Sequence, residues 1–422
     1  MIKHYDALVL GGGPAGSTTA AVLAQHGRKV AVVEKEKFPR YHIGESLIPY
    51  TYYAMERSGV LAKVKARNFV KKYSVQFVSK SGRASIPFYF FNQLKHEASM
   101  TWQVRRDEFD LLLLNHAREL GAEVFEETQA KEVIKENGFI VGARTVSKTG
   151  ENIEFRAPIT IDCTGRDAIS VARNGWRVFD PQLNKIAIWT YFKGAIRDPG
   201  IDEGATTVAY VPEKGWFWYI PLHDETISVG IVAEKDYLFK PGQTRDLKEI
   251  FDREVQQNKW MEAHLAPGTS TGVYRTTGEY SYRSKYCAAD GLILAGDAFA
   301  FLDPVFSSGV CLALVSGVMA ADAAHLALQD KDFRAERFEN YGKELCYGIE
   351  SMRRLVYAFY DHGFRFKEVF DKYPETRGEL TECLMGDLFK DFDPLFAKVA
   401  EFAKVPPPVK HGLPAPRAEA AD

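Results

Sequence analysis

Gly11-Gly12-Gly13-Pro14-Ala15-Gly16 follows directly on the apolar run Ala7-Leu8-Val9-Leu10. Residues 17–25 after it are small or helix-forming, Gly27 stops them, and a second apolar run over 29–33 ends in Glu34. The order is strand, glycine turn, helix, strand, acid, the pattern of a dinucleotide-binding unit. Gly11 permits a tight turn off the strand. Gly13 lets backbone approach a pyrophosphate with no Cβ in the way, and Gly16 lets the helix pack close to the sheet. The helix start, with Ala15 in its first turn, offers free N–H groups and partial positive charge to phosphates. Glu34 stands where the carboxylate that takes a ribose 2′-OH is expected. The competing reading is an ordinary glycine-rich turn.

Outward from this unit, 422 residues call for two lobes. The 46% apolar content is that of a globular protein. Lys plus Arg number 54 and Asp plus Glu 56, a net −2 that gives nucleic acid no foothold as a partner. Cys163, Cys287, Cys311, Cys346 and Cys383 form no CxxC pair, so neither a disulfide framework nor a zinc or other metal site is expected. The first strand begins at once, leaving no room for a signal peptide. No apolar run approaches the roughly 18 residues of a membrane span. A cytoplasmic protein without a transmembrane segment is the expectation.

Ile2 to Leu10 reads as one strand, residues 107–120 as an amphipathic helix, 130–161 as a meander and 307–328 as a long buried helix. Beyond Asp332 the pattern is helical to Phe402, with breaks at Gly363, Pro374 and Pro394. Nucleotide-sheet strands fall at both ends and in the middle. The expected fold is therefore α/β: a discontinuous, doubly wound, Rossmann-like domain over 1–70, 100–175 and 280–330. A mixed β-sheet domain over 71–99 and 176–279 is inserted on the substrate side. Helices over 331–404 and a flexible, proline-rich tail over 405–422 complete the chain.

The opening fingerprint, Asp162-Cys163-Thr164-Gly165 and Gly296-Asp297 occur in the order seen in FAD-dependent monooxygenases of the para-hydroxybenzoate hydroxylase type, which the chain resembles. Gly215-Trp216-Phe217-Trp218-Tyr219-Ile220-Pro221 matches the GWxWxIP signature of flavin-dependent halogenases. Phe301-Leu302-Asp303-Pro304-Val305-Phe306-Ser307-Ser308-Gly309 matches their FxxPxxSxG element. Phe38-Pro39-Arg40 and Gly44-Glu45-Ser46 are similar to the branch that acts on phenols and pyrroles.

The resemblance implies that reduced FAD, O2 and chloride or bromide yield an oxidised halogen, which a lysine hands to the substrate. It implies FAD contacts at Arg40, Ser46, Arg106, Asp297 and Gly309, with Glu45 joining turns. Backbone N–H groups of Ser308 and Gly309 would hold the halide, which suits a helix N-terminus. The competing reading is that they cap the helix. Trp216 and Trp218 alternate on one strand and so share a face. The resemblance makes them a screen between flavin and substrate, against the plainer reading of an aromatic core pair. Lys72 is the lysine implied, with Lys71 its competitor. Ser74 departs from the glycine expected two residues after it. A desolvated lysine has a depressed pKa and can act as a neutral amine. Tyr50, Tyr52, Phe88, Phe90 and Phe306 would line a flat apolar substrate pocket, or else pack as core.

The second glutamate of tryptophan halogenases has no counterpart, which argues against free tryptophan as substrate. No second nucleotide-binding unit appears, so a separate flavin reductase is the expected source of reduced FAD. Two readings stand. The first is a halogenase of a phenolic or pyrrolic compound, free or tethered to a carrier protein. The second is an FAD-dependent reductase of the geranylgeranyl reductase type, or an aromatic hydroxylase.

Overall fold

Short apolar runs far apart in the chain meet in one sheet. Its strands, in spatial order, are Ala288–Ala289, Leu292–Leu294, Ile159–Asp162, Ala7–Leu10, Val30–Val33 and Glu123–Phe125. All neighbours pair in parallel except the first two. Ala7–Leu10, Val30–Val33, Ile159–Asp162 and Leu292–Leu294 are buried throughout, as a parallel sheet covered on both faces requires. The computed structural model describes residues 1–212, 215–278, 281–361, 363–409 and 411–416.

The expected first strand is two. Ile2–His4 joins Asn152–Arg156 in a separate four-stranded sheet, and Ala7–Leu10 starts afresh in the nucleotide sheet. Their junction is held by Tyr5 N donating to Arg156 O and Asp6 N donating to Lys29 O. Helix Pro14–Gln25 begins at the glycine turn with Pro14 in its first turn, where a missing N–H costs nothing. It packs on Ser308–Asp330.

The inserted layer is an eight-stranded sheet. Its main path runs Thr269–Ser270, Ile186–Lys193, Thr226–Ala233, Gly215–Pro221, Thr206–Val211, Ser74–Val78 and Phe88–Tyr89, and Arg275–Gly278 also pairs with Ile186–Lys193. Val70–Lys72 leads into it and pairs with Thr101–Gln103.

Ser308–Asp330 is long and apolar enough to cross a membrane by length and composition, against the expectation that no apolar run approaches a span. Twelve of its residues are instead buried inside the protein.

The C-terminal helices are Glu339–Tyr360, Phe366–Lys372, Thr376–Met385 and Asp393–Val399. Pro394 does not break this region: it sits in the first turn of its helix. The break falls at Gly386, left-handed at φ 85°.

The tail expected to be flexible is docked as far as it is described. Cys287 N donates to Leu413 O, Ala415 N to Ala288 O and Val409 N to the Glu350 carboxylate. Arg353 binds Pro407 O, and His411 stacks on Phe299. Paired backbone and a buried acid and base tie down what composition alone left free. Residues 417–422 lie outside the described residues.

Candidate active site

Strands Ala7–Leu10, Val30–Val33, Ile159–Asp162 and Leu292–Leu294 point their carboxyl ends the same way. The residues that follow them, Gly11, Glu34, Cys163 and Asp297, line one cavity of about 500 Å³. Open α/β sheets bind ligands at this edge. Gly13, Ala15, Arg40, Ser46, Arg106, Gly309, Trp216 and Trp218 line the same cavity. It thus joins the glycine turn to the tryptophan pair.

The turn fits a dinucleotide in detail. A Cβ on Gly11, at φ +98°, would lie 2.3 Å from Cys163 O, and one on Gly16 would lie 1.8 Å from Gly11 O. Gly16 is therefore a packing residue and does not line the cavity. A Cβ on Gly13 would meet nothing nearer than Arg40 Nη2 at 3.6 Å, so the space beside it is open. Glu34 accepts Gly12 N–H at 2.6 Å and Glu36 N–H at 2.8 Å, one bond to each oxygen. A carboxylate has about four lone-pair sites, so acceptors remain for a ribose.

Arg40 and Arg106 share Asp110. Arg106 makes a two-pronged bond to it at 2.8 and 2.9 Å, and Arg40 Nη1 donates at 2.8 Å. Burial pushes the Asp110 carboxyl up, but the two guanidinium groups outweigh it and hold it low. Arg106 also donates to the carbonyls of Ile43 and Gly44, fixing the turn that carries Glu45 and Ser46. Burial pushes Asp297 up to about 6 against the pull of Arg106 and Arg166.

Helix Ser308–Asp330 starts at the cavity. Its cap residue Ser307 is left-handed at φ 57° and gives no side-chain hydrogen bond to the first turn. Free N–H groups at such an end attract an anion. Ser307 and Gly309 line the cavity, while the Ser308 side chain is buried behind them. A Cβ on Gly309 would meet no atom within 4 Å.

Trp216 and Trp218 stand on one face of Gly215–Pro221 with ring centroids 6.1 Å apart. Each indole is pinned. Trp216 Nε1 donates to Tyr360 OH at 2.7 Å, and Tyr360 OH donates to Asp303 at 2.8 Å. Trp218 Nε1 donates to Ser228 Oγ at 3.1 Å. Gly230, paired across the sheet with both Trp218 and Trp189, leaves room for the Trp218 ring.

Lys72 and Lys71 separate cleanly. Lys71 is exposed, and Lys72 is 2% exposed. The Lys72 amine donates to Ser46 Oγ at 2.8 Å and Leu47 O at 2.9 Å, and it lies 5.7 Å from the Phe90 ring. Burial pushes its pKa down to about 7. Lys72 itself does not line the cavity; Ser46 does.

None of the five aromatics assigned to the substrate pocket lines this cavity. Tyr50 OH donates to Asp387, and Tyr52 OH to Glu97. Phe88 packs on Phe77 under Arg377, and Phe306 packs edge-on against Phe359. Phe90 is core at 1% exposure. Large aromatics default to core because burying 150 Å² or more of ring dominates their energetics. Their spacing gave no sign of which face was open. Trp189, Tyr41, Tyr191, Asp303 and Tyr360 take part in the site or its supports and were not singled out. Alternation on Ile186–Lys193 could have flagged that Trp189 and Tyr191 share a face, but not that Trp189 lines the cavity or that Tyr191 reaches Glu45.

The tryptophan halogenase family profile matches residues 6–90 and 61–388. The chain belongs to the tryptophan halogenase family. Flavin-dependent halogenases of this family use FAD and halide. The chain is 32% identical over 410 residues to a 1H-pyrrole-2-carbonyl-[peptidyl-carrier protein] chlorinase of Pseudomonas fluorescens, covering 91% of this chain and 90% of that one. It is 31% identical to the corresponding brominase of Pseudoalteromonas luteoviolacea, covering 92% and 93%. A solved flavin-dependent brominase superposes with a TM-score of 0.85 at 28% identity, covering 94% of this chain and 98% of that one. Of the two readings left open by the sequence, the comparisons favour the halogenase.

Proposed function

We propose that this halogenase acts on an electron-rich aromatic ring, a pyrrole held as a carrier-protein thioester first and a free phenol second. The observation that carries the reading is the buried Lys72 amine, one hydroxyl away from a cavity walled by Trp216 and Trp218. The pyrrole preference rests on the two relatives above, which align over nine-tenths of their length.

FAD, when bound and reduced by a separate reductase, supplies two electrons for the oxidation of halide by O2. The protein does the rest. The uncapped start of Ser308–Asp330 holds the halide by backbone N–H groups at Ser308 and Gly309. Trp216 and Trp218 keep the aromatic ring away from the flavin edge, so that hydroxylation is suppressed. Ser46 stands between the cavity and Lys72, and the neutral amine of Lys72 receives the oxidised halogen and presents it to the ring. Arg40, Arg106, Glu34 and Asp297 hold the cofactor.

The test is direct. Incubate the protein with FAD, a flavin reductase, NADH and bromide, offering pyrrolyl carrier protein, free pyrrole-2-carboxylate and a panel of phenols. A halogen for hydrogen on the carrier-bound pyrrole alone supports the preferred substrate. Halogenated phenol with no change to the pyrrolyl carrier overturns it in favour of the second. No halogenated product from FAD-loaded protein overturns the function.

A further inference from the structure

Installing one halogen has a fixed proton balance. Reduced flavin gives two electrons and the halide gives two more, taking one O2 to two waters. The flavin and the aromatic ring release three protons, and making two waters takes four. One proton per turnover must reach the cavity.

Five carboxyl groups line that cavity: Glu34, Glu36, Glu45, Asp167 and Asp297. Glu34 is occupied by two backbone N–H groups. Glu36 pairs with Arg40, and Asp167 with Lys35. Asp297 is half-buried, and its carboxylate takes no hydrogen bond from a described residue, so no side-chain chain leads to it. Glu45 differs from all four. Its Oε1 takes a hydrogen bond from Tyr191 OH at 2.7 Å, and its Oε2 is buried without a partner. Tyr191 OH lies 3.0 Å from Tyr41 OH, and Tyr41 is 44% exposed. Tyr41 is steadied by Trp189 Nε1 at 2.6 Å and by the Arg275 guanidinium over its ring at 4.2 Å.

We propose that Tyr41, Tyr191 and Glu45 form a proton relay along the cavity wall, with Glu45 as the acid that serves the reacting centre. This rests on the reading of the cavity as a halogenation site. The Glu45 carboxyl O–H breaks as its proton passes to oxygen being reduced to water. The Tyr191 proton moves onto Glu45, the Tyr41 proton onto Tyr191, and water at the rim restores Tyr41. The shift is concerted, because burial holds both phenols above their ordinary value and leaves no free phenolate on the path. Burial likewise pushes Glu45 up to about 7, against the Ser228 and Tyr191 hydroxyls and the charges of Arg106 and Arg105. A general acid works best with its pKa near the operating pH. Lys72 beyond Ser46, and Asp297 and His42 on the cavity wall, are other groups with shifted titration nearby.

The variants are Tyr191→Phe, which cuts the path and leaves the acid, and Glu45→Gln, which removes the acid. Tyr191→Phe is expected to lower single-turnover halogenation about tenfold and Glu45→Gln about a hundredfold. Both should keep FAD affinity, and the D2O rate effect should be smaller in Glu45→Gln than in the parent. Infrared titration of the protein without FAD gives a readout free of turnover. The parent should show a protonated carboxyl lost with a midpoint near 7, above the Asp297 and Asp303 carboxyls near 6, and the difference spectrum of parent minus Glu45→Gln should contain that component alone. Should Glu45→Gln fail to fold, Tyr191→Phe and the parent titration decide alone. Rates within about twofold of the parent in the folded variants, or no carboxyl with a midpoint near 7, overturn the relay. A parent that binds FAD, shows the carboxyl and halogenates nothing overturns the function and not the proton path.

Discussion

The Lys72 amine donates to the Ser46 hydroxyl at 2.8 Å, and of the two Ser46 is the one that borders the cavity. Ser46 Oγ also lies 2.8 Å from Thr206 Oγ1, which accepts from Gln103 Nε2 at 2.8 Å. Since Gln103 also donates to Gly204 O, its amide orientation is set, and Thr206 is free to donate to Ser46. The hydroxyl is thereby left with its own proton to offer the cavity. Lys72→Ala should abolish halogenated product with FAD still bound, and Ser46→Ala should lower kcat more than it changes FAD affinity. Product mass and flavin fluorescence titration check both. Loss of FAD from either variant would make the pair structural.

The buried amine also sets a pH dependence. Its folded pKa, about 7, lies below its unfolded value. Above about 7 and up to the ordinary amine range the unfolded chain binds a proton that the native state does not, so stability rises with pH over that window. The penalty is fully present below about pH 7 and amounts to at most ~5 kcal/mol. Lys72→Met should flatten this slope, and denaturant unfolding at several pH values reads it. Halogenation needs the neutral Lys72 amine, favoured above about pH 7, and the protonated Glu45 carboxyl, favoured below it, so its pH profile should peak near 7 and lose its alkaline fall in Glu45→Gln.

Gly230 is where the screen can be disturbed without touching either indole. A Cβ there would lie 2.3 Å from Trp218 Cη2 and Cζ2. Gly230→Ala must displace the ring, at a cost of about 1–3 kcal/mol. The expected result is a lower melting temperature together with more hydrogen peroxide per halogen transferred. An unchanged peroxide yield would show that the ring's position does not govern coupling.

Tyr360 ties Trp216 to Asp303 by two hydrogen bonds. Tyr360→Phe leaves a buried indole N–H and one oxygen of a buried carboxylate unpaired, at about 1–3 kcal/mol each before relaxation. Burial already pushes Asp303 up to about 6, with the Tyr360 bond among the forces opposing it. Removing that bond should raise it further, so the loss of stability should shrink at low pH, where Asp303 is protonated.

Truncation after Lys404 should be costly, because residues 405–409 and 411–416 pack on the edge of the nucleotide sheet and on Glu350. The shortened chain is expected to melt several degrees lower and to expose Cys287 and Cys346 to thiol reagents, both of which are buried in the full chain.

What was legible in the sequence is what local chemistry dictates. The Gly11–Gly16 turn, its helix and the acid at Glu34 follow from steric demands that few other residues meet. The tryptophan pair follows from strand alternation. The choice of Lys72 over Lys71 needed a resemblance; of the two, Lys72 is the buried one. What was not legible depends on long-range packing. Tyr50, Tyr52, Phe88, Phe90 and Phe306 are as apolar as pocket residues and as core residues, and only the assembled fold tells which faces are filled. The Tyr41–Tyr191–Glu45 contact joins positions about 150 apart in the chain, with no local signal. The docked tail misled because proline-rich composition argues against helix and strand, not against being held.

The nucleotide sheet takes strands from residues 7–10, 30–33, 123–125, 159–162 and 292–294, and residue 415 caps its edge at Ala288. A polypeptide leaving the ribosome therefore cannot finish this sheet until most of it has been made. Its flank at Ala288–Ala289 stays open until residue 415 arrives. The cavity draws on residues as far along as Ala313, so nascent fragments shorter than that should depend on chaperones rather than on flavin for protection.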